Sequence, residues 1–288
     1  MTIFENNIIN LYGDLGKLWL ADLPNIIAQL THKWSLTKLT LVQNLTYSYV
    51  LFGFQGNLPI TLKLALNENA LNQEAEALKA FAGFGAIRLL EQEKGALLLE
   101  RAIPGTSLKT YFPDQEEEAI HITCDIMKKL HCAPFPQSVF PHIQQWLEVL
   151  DKEWDIPSPF LQKSRDLRDH LLKTSPKNVL LHGDLHHDNI LAHHNEWIAI
   201  DPKGVVGDHV YDVAAFIRNP IPDLLEKNGA YDLIKNRIIK FAQTLNIDDK
   251  RVHDWCFVQS VLAWIWALED RGEAYYFKNI TEIFNVYY

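Results

Sequence analysis

Three short apolar runs between residues 178 and 200 set the strongest limit on how this chain can fold. The runs are Asn178–Leu181, Ile190–Ala192 and Trp197–Ile200. They are too short for helices, and they have the length and aliphatic content of buried strands. The polar segment His193–Glu196 lies between the last two runs and predicts a turn. We expect polar side chains in the loops between these strands to be held rigidly.

The loops carry carboxylate and amide groups at a specific spacing. Residues 182–189 read His-Gly-Asp-Leu-His-His-Asp-Asn, and Asp201 follows twelve positions after Asn189. This fits the pattern His-x-Asp-Leu-x-x-x-Asn, in which the Asp orients a substrate hydroxyl and the Asn and a later Asp ligate magnesium. We therefore predict that Asp184 is catalytic and that Asn189 and Asp201 bind Mg²⁺ in a phosphoryl-transfer centre that uses ATP.

A zinc site is an alternative interpretation of the same region. The histidines that suggest it are His182, His186, His187, His193 and His194. No cysteine pair and no helical His-x-x-x-His accompanies them, and neighbouring residues of a strand or turn point in different directions. The pattern disfavours zinc and predicts that His182 hydrogen-bonds the loop.

The residues before position 101 predict a helix, an antiparallel sheet and a second helix. Apolar residues recur at helical spacing from Leu23 to Trp34, and Asn72–Phe84 is rich in strong helix formers. Asn44 and Gly56-Asn57 mark turns between strands. The predicted strands are Leu36–Val42, Tyr47–Phe52, Pro59–Ala65, Ile87–Leu90 and Ala96–Glu100.

Lys63 lies in the third predicted strand between apolar neighbours. This is the setting of a lysine that contacts ATP phosphates and pairs with a helix glutamate. Glu74 is the predicted partner, and Glu76 is an alternative, because residues two apart on a helix face different ways.

No glycine-rich loop connects the first two predicted strands, where residues 43–48 read Gln-Asn-Leu-Thr-Tyr-Ser. We expect backbone amides and the hydroxyl of Thr46 or Ser48 to bind phosphate instead, since both kinds of group donate to phosphate oxygens. Farther along, residues 102–106 read Ala-Ile-Pro-Gly-Thr, a strand end with turn residues. Glu100 and Ala102 are the predicted hinge positions that meet the adenine edge.

The remainder of the chain predicts a mostly helical body. We expect an α+β, two-lobed protein-kinase-like fold, with a small nucleotide-binding lobe over residues 1–101 and a large catalytic and substrate-binding lobe over residues 102–288. The predicted helices are Glu116–Cys132, Ile143–Lys152, Pro159–Thr174, Val210–Ile217, Ala230–Thr244 and Arg251–Gly272.

Composition limits the class of protein and of partner. The chain has 288 residues, of which 48% are apolar, enough for a full core. No uninterrupted apolar stretch is long enough for a membrane helix, and the N-terminus lacks a secretory signal pattern, so we expect a cytoplasmic protein. The net charge of −9 argues against a nucleic-acid partner and suits a cationic small molecule.

Several longer segments stand out as motifs: Leu181–Leu191, Ala199–Gly204, Gly207-Asp208, Tyr211–Ala214, Arg218–Pro220, Leu98–Arg101, Pro104-Gly105 and Leu262–Asp270. Through these segments the chain resembles the aminoglycoside/hydroxyurea phosphotransferase family, and within it the streptomycin 6-kinases. The resemblance implies a kinase-like fold, ATP, magnesium and transfer of the γ-phosphate to an antibiotic hydroxyl. His187-Asp188 departs from the small Pro-Gly pair expected in that family's catalytic loop.

Acceptor recognition is predicted in the large lobe. Its candidate residues, whose carboxylates could bind amines or guanidinium groups, are Asp208, Asp212, Glu269 and Asp270. The alternative for Asp212 is that it braces the catalytic loop, and for Glu269-Asp270 that they lie at an exposed helix end. Two other functions stay open: a metabolic kinase of choline, a sugar or an amino alcohol, and a nucleotide-binding regulator without activity.

Overall fold

The computed structural model describes residues 2–43, 45–136, 138–270 and 274–286. The chain divides into two compact units. The first unit comprises residues 1–82 and 87–103, and the second comprises residues 83–86 and 104–288. Among the described residues, no helix combines the length and the apolar character needed to cross a membrane.

The first unit is built on a five-stranded antiparallel sheet in the order β1-β2-β3-β5-β4. Two helices precede the sheet and one helix follows its third strand. The bounds are α1 Ile3–Tyr12, α2 Asp14–Trp34, β1 Leu36–Leu41, β2 Tyr49–Gln55, β3 Leu58–Leu64, α3 Glu68–Ala80, β4 Leu89–Glu93 and β5 Ala96–Glu100.

Side-chain alternation along β3 decides which of its residues face the core. Ile60, Leu62 and Leu64 are fully buried. They belong to an apolar cluster with residues of α1, α2 and the neighbouring strands. Because successive side chains of a strand point to opposite faces, Lys63 lies on the other side of the sheet.

The second unit contains two small antiparallel sheets among its helices. One pairs β7 with β10, and the other has the order β6-β8-β9. The strand bounds are β6 Pro104–Ser107, β7 Asn178–Leu181, β8 Ile190–His193, β9 Glu196–Ala199 and β10 Val205–Asp208.

Helix α10 is the centre of the helical part of the second unit. Its residues from Val252 to Ile265 are all buried, because α6, α7, α9 and α11 pack around it. A helix that is covered on all sides needs no polar face. The helices are α4 Glu116–Leu130, α5 Ile143–Leu147, α6 Ser158–Lys173, α7 Tyr211–Ile217, α8 Asp223–Glu226, α9 Ala230–Leu245, α10 Asp249–Glu269 and α11 Tyr275–Val286.

The predicted α+β class is confirmed by the antiparallel sheet of the first unit and the helical second unit. Helix α3 starts at Glu68, before the predicted Asn72, because the Asn67 side chain caps the helix by accepting a hydrogen bond from the Ala70 N–H. Helices α1, α8 and α11 were not predicted. The predicted turn residue Asn44 and the predicted helix end Gly272 lie outside the described residues.

Candidate active site

The β8–β9 hairpin brings Asn189 and Asp201 to the same end of a small sheet. Ile190 pairs with Ala199, and the Ile200 N–H donates to the Asn189 carbonyl at 2.9 Å. Asn189 comes directly before β8, and Asp201 comes two residues after the end of β9. The antiparallel register therefore juxtaposes two of the predicted site residues.

His182 ties the loop of Asp184 to the segment that follows β9. Its ring is fully buried, and its Nε2 lies 2.8 Å from the Ile200 carbonyl oxygen. The Asp184 N–H donates to Nδ1 at 3.3 Å, so the proton of the neutral ring is on Nε2. Burial lowers the pKa of His182 and keeps the ring neutral. The Lys203 N–H completes the link by donating to the His182 carbonyl at 2.7 Å.

Asp212 also stabilises the loop that contains Asp184. Its carboxylate accepts hydrogen bonds from the backbone N–H groups of His182 at 3.0 Å and Gly183 at 2.8 Å. His131 Nε2 lies 3.0 Å from the same carboxylate. Gly183 has φ +85°, and a Cβ there would lie 3.0 Å from the ring of Trp146. The loop shape thus requires glycine at this position.

Asp184 lies between two cationic or potentially cationic groups. Arg218 Nη2 is 3.6 Å from its Oδ1, and His186 Nε2 is 3.7 Å from its Oδ2. Burial alone would raise the pKa of Asp184, but His186, Lys203 and Arg218 outweigh burial and hold that pKa below its ordinary value. The carboxylate is therefore ionised near neutral pH, and its side chain is 29% exposed.

Asn189 presents its amide oxygen. The Nδ2 group donates to the Asp184 carbonyl at 2.9 Å, so Oδ1 is the atom of this amide that can act as a metal ligand. The Asp201 carboxylate lies 3.0 Å from Lys203 Nζ. One amide oxygen and one carboxylate suit Mg²⁺, which takes few protein ligands and completes its shell with phosphate and water. In the described part of the chain, no group of three or more His, Cys, Asp and Glu side chains could hold a metal ion.

His187 is an apolar packing residue despite its ring nitrogens. It stacks on Phe216 with ring centroids 3.8 Å apart, and neither ring nitrogen has a hydrogen-bond partner within the described ranges. Burial and the positive charge of Arg237 hold the pKa of His187 well below its ordinary value. The zinc interpretation gains no support from this histidine.

The first unit holds a buried ion pair between Lys63 and Glu74. Lys63 Nζ lies 2.6 Å from Glu74 Oε2, and the two side chains are 11% and 7% exposed. Glu76 instead pairs with Lys79 at 2.7 Å. The geometry thus favours Glu74 over Glu76 as the partner of Lys63.

The other predicted nucleotide contacts also lie in the first unit. Ser48 is half-buried and comes directly before β2. Glu100 ends β5, where its N–H donates to the Arg88 carbonyl at 2.9 Å. Ala102 is buried two residues later.

The carboxylates of Asp208 and Asp212, two of the predicted acceptor ligands, are buried and bonded within the protein. The Asp208 side chain is fully buried and accepts hydrogen bonds from Trp255 Nε1 at 2.8 Å and from Arg251. The Val210 N–H donates to its other oxygen at 3.1 Å. Asp212 is equally buried and is bonded to the backbone of His182 and Gly183. These oxygens face protein donors, which favours the alternative that Asp212 braces the loop and makes Asp208 a weaker candidate for binding an acceptor.

Glu269 and Asp270 lie together at the C-terminal end of α10. Both are exposed, and Asp270 caps the helix. Their carboxylates are therefore accessible in a way that those of Asp208 and Asp212 are not.

Arg218 is the residue that sequence reasoning missed. It stands directly after α7, and its side chain is only 11% exposed. The available signal was a charged residue directly after the mostly apolar segment Tyr211–Ile217.

The chain is similar in sequence to several known kinases. Residues 33–271 match the family described as aminoglycoside/hydroxyurea antibiotic resistance kinase. The chain is 30% identical to a streptomycin 3''-kinase of Klebsiella pneumoniae over 77% of this chain and 85% of that protein. It is 24% identical to a streptomycin 6-kinase of Streptomyces griseus over 90% and 87%.

A solved structure extends the similarity to the fold. It is a thermostable mutant of aminoglycoside phosphotransferase APH(4)-Ia in a ternary complex with ADP and hygromycin B. The TM-score is 0.64 at 14% identity, with 90% of this chain and 97% of that chain covered. The similarity confirms the predicted protein-kinase-like fold.

Proposed function

The chain belongs to the aminoglycoside/hydroxyurea antibiotic resistance kinase family and is a small-molecule phosphotransferase, and we propose that it transfers the γ-phosphate of ATP to a hydroxyl of an aminoglycoside such as streptomycin. The observation that carries the proposal is the juxtaposition of Asp184, Asn189 and Asp201 in the second unit. Asn189 and Asp201 meet through the β8–β9 register, and Asn189 Nδ2 is bonded to the backbone of Asp184.

Asp184 aligns the acceptor hydroxyl in this proposal. The acceptor oxygen forms a bond to the γ-phosphorus while the bond from phosphorus to the β–γ bridging oxygen breaks, and ADP leaves with that electron pair. The hydroxyl proton passes to Asp184. Because nearby cations hold the pKa of Asp184 low, it is a weak base, and the proton moves late, when the acceptor oxygen has already bonded to phosphorus. Alignment is thus its main contribution.

Asn189 Oδ1 and the Asp201 carboxylate would hold magnesium. Their oxygen donors fit the ion, and the Asn189 side chain is already fixed by its bond to the Asp184 carbonyl. When bound, magnesium would neutralise charge on the phosphate oxygens.

In the first unit, Lys63 is the proposed contact for the nucleotide phosphates, and Glu74 is its partner. The 2.6 Å ion pair holds the ammonium group in one place, which a lysine that contacts phosphates requires. Ser48, Glu100 and Ala102 remain proposed nucleotide contacts, with a hydroxyl for phosphate at Ser48 and backbone groups for adenine at the other two.

The proposed acceptor is cationic. Glu269 and Asp270 are exposed neighbours that could bind its amine or guanidinium groups. The relatives named above are streptomycin kinases, which supports streptomycin as the first compound to test.

A screen of acceptors tests the proposed function. The wild-type protein is incubated with ATP, Mg²⁺ and one compound at a time, and ADP release and product mass are measured. The compounds are streptomycin, other aminoglycosides, choline, ethanolamine and common sugars. We expect a mass gain of one phosphate on an aminoglycoside. A phosphate on choline or a sugar would instead favour a metabolic kinase, and no phosphorylated product would favour a regulator.

The Asp184→Asn variant tests the mechanism with the acceptor found in the screen. We expect turnover to fall about 10³-fold, since the amide cannot accept the proton and orients the hydroxyl poorly. The KM for ATP should be unchanged. Unaltered turnover of D184N would contradict the assignment of Asp184. Asp188→Asn is the matched control, because Asp188 lies in the same loop and is exposed.

A further inference from the structure

The Arg218 guanidinium has two donors, Nη2 and Nε, on the edge that lies beside Asp184, and within the described residues Nε is unused. Its Nη2 is 3.6 Å from Asp184 Oδ1, just beyond hydrogen-bond distance. Its Nε is buried and has no hydrogen-bond acceptor among the residues that the structure describes. A buried donor on a charged group that is left without an acceptor is costly, so its presence in a folded protein calls for an explanation.

The two donors belong to the same edge of the guanidinium group. The Nε–H and one Nη2–H are parallel and match the two oxygens of a carboxylate. A charge-assisted hydrogen bond has a length of about 2.8 Å, so the edge has to move by only about 0.8 Å to bind Asp184. Among the groups near this edge, Asp184 is the carboxylate that the structure pairs with Arg218.

The backbone that carries Arg218 is anchored at three successive carbonyls. The Ile217 and Asn219 carbonyls accept hydrogen bonds from Arg237 Nη1, and the Arg218 carbonyl accepts one from the Tyr276 hydroxyl at 2.7 Å. The Arg218 N–H also donates to the Ala214 carbonyl at 3.2 Å. These contacts fix the backbone position from which the Arg218 side chain extends.

We propose that Arg218 is the positioning residue of Asp184. Its Nε–Nη2 edge closes on the carboxylate in the reacting enzyme, fixes the plane of that group and leaves one Oδ2 lone pair for the acceptor hydroxyl. The proposal rests on the proposed function, since it assigns Asp184 the role of orienting that hydroxyl. A misplacement of about 1 Å at a reacting group can reduce the rate about 100-fold, which sets the expected effect.

The test combines Arg218→Met with Asp184→Asn. In the R218M variant we expect kcat to fall about 100-fold at an unchanged KM for ATP. In the D184N background, the same substitution should cost less than twofold, because Arg218 acts through Asp184. A contact from Arg218 to phosphate would instead give a similar loss in both backgrounds and would overturn the proposal. So would an R218M variant as active as the wild type.

A conservative variant and a chemical rescue separate positioning from a structural role. Arg218→Lys keeps the charge but lacks the two-donor edge. Its kcat should therefore be less than tenfold higher than that of R218M. Guanidinium chloride at millimolar concentration should restore activity to Arg218→Ala but not to D184N, with sodium chloride as the salt control. Full activity of R218K, or no rescue of R218A, would contradict the proposal. These two measurements also decide the matter if R218M does not fold.

Arg168→Met is the matched control. Arg168 is 12% exposed, close to the value for Arg218, and it pairs with Asp151 at 2.8 Å. We expect R168M to retain wild-type kcat. An equal loss in R168M would overturn the proposal, because lost stability would then explain both effects. If D184N itself retains turnover, the proposed function of Asp184 fails. If D184N is inactive and R218M is unaffected, only the positioning role fails.

Discussion

Acidic residues that look alike in the sequence differ in this molecule by what surrounds them. Asp208 and Asp212 are four positions apart, and both were predicted to bind a cationic acceptor. In the structure, Asp208 bonds Arg251 and Trp255, which are 43 and 47 residues farther along the chain. Asp212 bonds the backbone of His182, which is 30 residues earlier. Such long-range partners leave no local pattern in the sequence. The contact between Asp184 and Asn189 was predictable, because the two residues lie five positions apart in one motif.

Asp208 leads to a prediction about acid stability. Burial would raise the pKa of Asp208, but His209, Trp255, the Val210 N–H and Arg251 together lower it. A carboxyl group with a lower pKa in the folded state stabilises the fold above its unfolded pKa of about 3.9, and this contribution is lost as the pH falls through the folded pKa. Asp208→Asn should therefore destabilise the protein by about 3 kcal/mol at pH 7, since it leaves Arg251 without its partner.

The measurement is urea unfolding of the wild type and D208N at several pH values from 7 to 3. The difference in unfolding free energy should be constant down to about pH 4.5 and should narrow below about pH 4. Asp166→Asn is the control, because Asp166 is exposed on α6. A difference that stays constant down to pH 3 would show that the charge of Asp208 is not the source of the stabilisation.

At the scale of secondary structure, the elements with strong local signals were predictable. The β8–β9 hairpin follows from two apolar runs and a polar turn, and its register brings Asn189 and Asp201 together. Helix α10 follows from its length and apolar content. Helix α1 was missed, although Thr2 and Glu5 form a capping box, because its ten residues are few for a periodicity argument. Which faces of the helices meet was not predictable, because it depends on contacts far apart in sequence.

Two ion pairs between α4 and α9 differ in burial, so their contributions to stability can be compared. Arg237 is fully buried and binds Glu116 through two hydrogen bonds of 2.6 and 2.8 Å. Lys240, less than one turn along α9, binds Glu117 at 2.7 Å, but the two side chains are 46% and 67% exposed. Removal of one partner from a buried pair costs about 3–5 kcal/mol, whereas an exposed pair contributes below about 1 kcal/mol.

Arg237→Met should therefore lower the unfolding free energy by about 3–5 kcal/mol, and Lys240→Met by less than about 1 kcal/mol. The loss of free energy at Arg237 includes the loss of its hydrogen bonds to two backbone carbonyls of α7. Urea unfolding monitored by circular dichroism measures both values. Equal effects of the two substitutions would mean that burial of the pair is not what stabilises the contact between α4 and α9.

At the scale of the whole molecule, composition and fold bear on the class of acceptor. The net charge is −9, and Glu269 and Asp270 add exposed carboxylates at the end of α10. A negative protein raises the local concentration of a cationic ligand, and salt screens this attraction over about 8 Å at physiological ionic strength. The protein-kinase-like fold could be predicted from motifs, but the acceptor could not, because different acceptors are served by the same arrangement of catalytic groups.

The kcat/KM of the proposed cationic acceptor should fall several-fold as potassium chloride is raised from about 0.02 to about 0.3 M. The KM for ATP should not rise in parallel, because ATP is an anion.

If Glu269 and Asp270 bind the acceptor, the double variant Glu269→Gln/Asp270→Asn should have a lower kcat/KM at low salt and a flatter salt dependence. Glu117→Gln/Asp125→Asn removes two exposed charges from α4 and is the matched control. Salt curves of equal slope for the two double variants would assign the attraction to the overall charge, and a wild-type curve without slope would contradict a cationic acceptor.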